Sequence, residues 1–161
     1  MTAVLFAVLL ALGTNPQETP RRLLTATKTV TACAAVTRSD VELALGRKVA
    51  AGSEDNDSGS STCDYTAGGG QITVTIQRLG AAPDLDQEIA SLKAEFPGST
   101  VRPAAVAGTQ AFYLDLGGDG TLLHVIRDGR DYVLVAVLGF GEPASVSGAA
   151  ASLARTALGR M

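Results

Sequence analysis

The chain has no tryptophan, a single histidine and two cysteines, and aromatic residues make up only 4% of its 161 positions. Each scarcity narrows the chemistry. His124 stands alone and there is no C-x-x-C pair, so the clustered nitrogen and sulfur ligands of a zinc centre are missing. The same histidine would have to serve as base to any nucleophilic cysteine, and no serine sits in a nucleophile elbow. An excess of positive charge is missing too. With 13 basic residues against 16 acidic ones the net charge is −3, and nothing suggests a basic face that would displace counterions from nucleic acid or hold an anionic membrane. No metal, no cofactor and no nucleic-acid partner is therefore expected.

Long hydrophobic runs are also absent. The apolar start, Ala3 to Leu12, is ten residues, whereas a bilayer-spanning helix needs about 20 and the core of a signal peptide roughly 7 to 15. Ala11-Leu12-Gly13 supplies small residues where a signal peptidase reads, although no Lys or Arg precedes the run. The expected organisation is a signal peptide over residues 1–13, a polar linker over 14–31 and one domain over 32–161. The mature form would then be secreted or held in the cell envelope, without a stable membrane span.

An oxidising compartment lets disulfides persist, and Cys33 and Cys63 are the only two cysteines. Pairing them is the favoured reading, and it would close a loop worth roughly 3 to 4 kcal/mol of unfolded-chain entropy. Lipidation of Cys33 stays open, because Val30-Thr31-Ala32-Cys33 fits a loose lipobox. Its placement argues against that, since about twenty residues separate it from the apolar run.

Hydrophobic periodicity then outlines the domain. "TRSDVELALG" offers Thr37 or Ser39 as N-cap, Asp40 or Glu42 as capping-box partner and Gly46 as stop. "AAGSEDNDSGSS" reads as a polar loop, and "STCDYTAGGGQITVTIQRL" as a hairpin with Ile72, Val74 and Ile76 on one face. Pro83 and Asp84 open a second helix carrying Leu85, Ile89, Leu92 and Phe96, which Pro97-Gly98 ends. Three strands follow in "QAFYLDL", "TLLHVIRD" and "DYVLVAVLG", joined by short turns that require antiparallel neighbours. The last is apolar on both faces, through Tyr132, Leu134, Ala136 and Leu138 on one and Val133, Val135 and Val137 on the other, so it should be central and covered on both sides. Pro143 starts a closing helix with Val146, Ala149, Ala150, Leu153, Ala157 and Leu158 buried. The order α-β-β-α-β-β-β-α predicts an α+β domain: a twisted antiparallel sheet of about five strands with three helices, leaning toward helices on both faces.

The strings "CAAVTRSDVELALG", "CDY", "VAGTQAF" and "ASLARTAL" together resemble a family of small exported proteins and lipoproteins of uncharacterised function common in actinobacteria. In that family a cysteine precedes a T-x-x-D-V-x-x-x-L-G helix and a second cysteine stands just before an aromatic residue. The resemblance implies that Cys33 and Cys63 pair, that Thr37, Asp40, Leu45 and Gly46 build the first helix, and that Val106 to Ala111 lead into a strand. The well-placed lipobox of the lipoprotein members is lacking.

Few residues invite chemistry. Glu54, Asp55 and Asp57 cluster hard oxygens but lack the remaining ligands of a calcium loop, so a solvated loop is expected. Asp115 and Asp119 flank a glycine turn, where hairpin chemistry already accounts for them. Gly68-Gly69-Gly70 has neither the lysine nor the following helix of a phosphate loop. His124 shares a face with Leu122 and Ile126 and reads as a packed histidine. With Tyr113 and Asp115 it is a weak candidate binding residue. The favoured function is a non-catalytic envelope or secreted module binding a partner protein, peptide or small ligand on the sheet or beside the acidic loop. The alternative is an extracytoplasmic enzyme or enzyme inhibitor with a site near His124. A hydrophobic face left open around Leu122, His124 and Ile126 would favour a ligand groove, and a covered one would favour contact through loops.

Overall fold

A computed structural model describes residues 30–161. The expected signal peptide and all but the last two residues of the expected linker lie outside the described residues. In chain order the elements are α1 (Ala32–Ala35), α2 (Arg38–Leu45), β1 (Ser53–Asp57), β2 (Ser60–Ala67), β3 (Gly70–Arg78), α3 (Leu85–Glu95), β4 (Thr100–Pro103), β5 (Gln110–Asp115), β6 (Gly120–Arg127), β7 (Asp131–Leu138) and α4 (Pro143–Arg160), with a 3-10 turn at Gly117–Asp119.

All strands join one antiparallel sheet in the order β1-β2-β3-β7-β6-β5-β4. Among the described residues the domain is α+β, with seven strands and four helices where about five and three were expected. The added elements are α1, β1 and β4. β1 occupies the stretch expected as a solvated loop, and it is exposed along its whole length. A strand with no buried side chain carries no hydrophobic alternation, so its only signature is backbone pairing with β2. β4 is four residues long and likewise an edge. β7 lies in the middle of the order, as its two apolar faces require.

Ile72, Val74, Ile76, Leu123, Val125, Val133, Val135 and Val137 point to one face and form the main core with α1 and α4. Helix α4 lies on β6 and β7, and α2 packs on α4. The buried stripe of α4 is Val146, Ala150, Ala151, Leu153, Ala154, Ala157 and Leu158; Ala149, expected in it, is half-buried. Gly120 is indispensable in this layer. It sits at φ 120°, and a Cβ there would lie 2.1 Å from the Val137 carbonyl oxygen, a contact no side chain tolerates.

The opposite face carries a second, smaller apolar layer of Phe112, Leu114, Ile126 and Ala136, all buried. Burial there needs a cover, and among the described helices α3 is the one outside the main core. Glu88 of α3 acts electrostatically on Tyr132, and Ala82 before the helix abuts Gly129. Leu85, Ile89 and Leu92 of the helix and Phe96 at its C-cap are half-buried.

Cys33 and Cys63 form a disulfide with Cα atoms 5.1 Å apart. It ties α1 to β2. Around it the Ala32 amide donates to Ser61 Oγ at 2.8 Å, and the Tyr65 hydroxyl donates to the Val36 carbonyl at 2.5 Å. Thr37 and Asp40 form the expected capping box, and Gly46 ends α2 in the left-handed conformation. The guanidinium of Arg160 donates to Asp40 Oδ2 at 2.5 Å and to the Ala35 carbonyl at 2.9 Å, closing the end of the chain onto its first helices.

Candidate functional site

The pleat decides where the three sequence candidates stand. Tyr113 pairs with Leu123 and Asp115 with Thr121, which places both on the α4 face; His124 pairs with Phe112 and belongs to the α3 face. Alternate residues of a strand point to opposite sides, so the sheet itself separates His124 from Tyr113 and Asp115.

Tyr113 and Asp115 share a network with α4. Arg102 of β4 forms a bidentate pair with Asp115, and its guanidinium lies 4.1 Å from the centre of the Tyr113 ring. It also donates to Ser147 Oγ at 2.5 Å, while the Tyr113 hydroxyl donates to the Ser147 carbonyl at 3.1 Å. Burial pushes the Asp115 carboxyl up, but hydrogen bonds from Arg102 and Thr121 outweigh it and hold the group below the usual range. Burial raises the Tyr113 hydroxyl. A carboxylate held ionised by a paired arginine is a poor proton shuttle, and this network fastens the β4 edge to α4.

His124 is 3% exposed and stacks on Phe112, with ring centres 4.7 Å apart and planes 6° from parallel. Its Nδ1 is 2.8 Å from the Tyr132 hydroxyl, and its Nε2 is buried without a partner. Burial lowers its pKa to about 4, so the ring is neutral at pH 7. Ile126 beside it is buried as well, and Leu122 is half-buried.

The surface has one feature that periodicity could not reveal. At the β1 edge the sheet presents Ser53, Glu54, Asp55, Asn56 and Asp57, all exposed and paired on one side only. A two-residue turn, Ser58-Gly59, closes the hairpin onto the pair Asp57 and Ser60. In a hairpin of that kind the closing pair exchanges both hydrogen bonds and the pattern alternates outward. The backbone groups of Asp57, Asp55 and Ser53 therefore face β2, and those of Glu54 and Asn56 face outward. Beside the turn an open cleft of about 650 Å³ is lined by Asn56, Asp57, Ser61, Ile76, Arg78 and Val30, among others. At the other edge, β4 is short, ends in Pro103 and has Arg102 committed to Asp115, so it is a protected edge.

Among the described residues no group of three or more His, Cys, Asp or Glu side chains is placed to hold a metal ion, and no helix is long and apolar enough to cross a membrane. Compared with known family models, curated proteins and solved structures, the chain gives no significant match.

Proposed function

We propose that the protein is a non-catalytic secreted or cell-envelope module that binds a partner protein or peptide, and that the partner adds an extended, basic segment to the β1 edge. The membership suggested by the sequence resemblance, with the small exported proteins and lipoproteins of actinobacteria, is part of the same proposal. The observation that carries it is β1 itself. A strand with every side chain exposed gains nothing from burial, yet it holds outward a backbone row able to accept another strand.

Charge narrows the partner. Glu54, Asp55 and Asp57 would face their own kind if two copies paired through β1, and like charges directly opposite are destabilising. Lysine or arginine on an incoming strand would meet them favourably. The disulfide suits an extracytoplasmic location. The separation of His124 from Tyr113 and Asp115 means that the enzyme or inhibitor alternative would have to do without those two residues.

The test uses the processed protein as bait on its own envelope fraction, beside an Asn56→Pro bait. Proline at that position removes an outward N–H and spares the β2 ladder. A stoichiometric partner retained by the unaltered protein, lost by N56P and released by salt supports the proposal. Equal retention by both baits refutes it.

A further inference from the structure

The α3 side of the sheet is closed less firmly than the α4 side. Seven residues of α4 are buried, and none of α3 is. Beneath α3 the sheet mixes apolar side chains with the polar groups of Gln110, Tyr132 and His124, and the His124 Nε2 is buried without a hydrogen-bond partner, half a ring away from the bond to Tyr132. Ser99, where α3 hands over to β4, buries its hydroxyl oxygen unpartnered as well. Native proteins seldom leave such atoms unsatisfied, because each forfeits its hydration and receives nothing in return.

The layer borders a depression that reaches Ile126 but not His124. The depression, of about 490 Å³, opens between Ala82, Thr109 and Gly129, with Gln110 and Ile126 contributing from the sheet. Gln110 and Ile126 are partners across β5 and β6, and Phe112 and His124 are the next pair on the same face, roughly 7 Å further in at the rise of a strand. Gly80 and Gly98 flank α3 at either end, and Gly98 has φ 89°.

We propose that this layer is a ligand site in which α3 is the lid and His124 the polar anchor, taking a neutral apolar molecule with one hydrogen-bonding oxygen. The molecule enters over Ile126, lies against Phe112, Leu122 and Leu134, and sets its oxygen on His124 Nε2. Electrostatics disfavours an acid headgroup. The ring that would receive it is neutral, and the lid carries Glu88, whose charge adds to burial in raising the Tyr132 hydroxyl. The site is independent of the β1 edge, on the other side of the central strands.

Titration calorimetry with 1-decanol and with decanoate tests it, together with the ¹⁵N resonance of His124 Nε2 in the unaltered protein. Expected are one saturable decanol site, a displaced Nε2 resonance, weaker binding of decanoate, and binding about tenfold weaker in His124→Phe, the loss of one hydrogen bond. Absence of a saturable site, an unmoved Nε2 resonance, preference for decanoate, or equal affinity in a folded H124F protein would each overturn the proposal. The resonance is read on the unaltered chain, so it decides the matter even if H124F does not fold.

Discussion

Burial lowers the pKa of His124 from 6.5 to about 4, and the sign of the consequence follows from which state takes up protons. Between those values the unfolded chain binds the proton and the folded chain does not, so stability falls as pH drops through 6.5 and goes on falling to about 4. The full loss is about 3 kcal/mol. Urea midpoints at pH 7 and 4.5 should therefore differ in the unaltered protein and much less in H124F. Asp40 works in a separate window. The hydrogen bond from Arg160, its largest influence, holds the carboxyl at about 2 against 3.8, so that stabilisation is complete above 3.8 and disappears as pH falls toward 2. Solvent around Arg160 screens the pair, so its worth is small. Asp40→Asn, which keeps a capping acceptor, should lower stability slightly at pH 7, and the difference should shrink steadily toward pH 2. Gly120→Ala combines a forbidden φ with a clash on the Val137 carbonyl, and thermal unfolding should show a loss of about 3 kcal/mol or more.

At the scale of elements, legibility in the sequence tracked burial. Ile72, Val74 and Ile76 announce β3, and the alternating faces of "DYVLVAVLG" place β7 at the centre, because each side chain meets a packed layer. Thr37, Asp40 and Gly46 announce α2 because caps are local chemistry. β1 and β4 were illegible for the opposite reason. Their side chains bury little, and pairing with a neighbouring strand is a tertiary event that "SEDND" and "TVRP" do not encode. Two proline variants separate the two sides of β1. Asp55→Pro removes a donor to β2 and should cost about 3 kcal/mol of stability, while N56P should cost less than about 1 kcal/mol. Equal costs in thermal unfolding would mean that the outward backbone groups have been misassigned.

Across the whole molecule, the disulfide is the feature most accurately foreseen, since two cysteines without clustered metal ligands or a second histidine have few other uses. It pins α1 to β2 beneath a core shared with α4, and Arg160 returns the last turn of the chain to Asp40. Reduction, or Cys33→Ser with Cys63→Ser, should lower stability by about 3 to 4 kcal/mol and leave the strand order unchanged. Intact mass without reductant should show no free thiol. The candidate site was less legible than the fold. His124, Tyr113 and Asp115 are near in sequence, but strand parity sends them to opposite faces. The edge proposed as a docking surface is recognisable only once its neighbour is known.

The outward backbone of β1 is the centre of the account, and amide hydrogen exchange reads it residue by residue. In the free protein the amides of Asp55 and Asp57 should be protected by β2, and those of Glu54 and Asn56 should exchange rapidly. In the complex captured from the envelope, protection of Glu54 and Asn56 is the predicted result. Rapid exchange at both positions while the partner is bound would contradict strand addition at this edge.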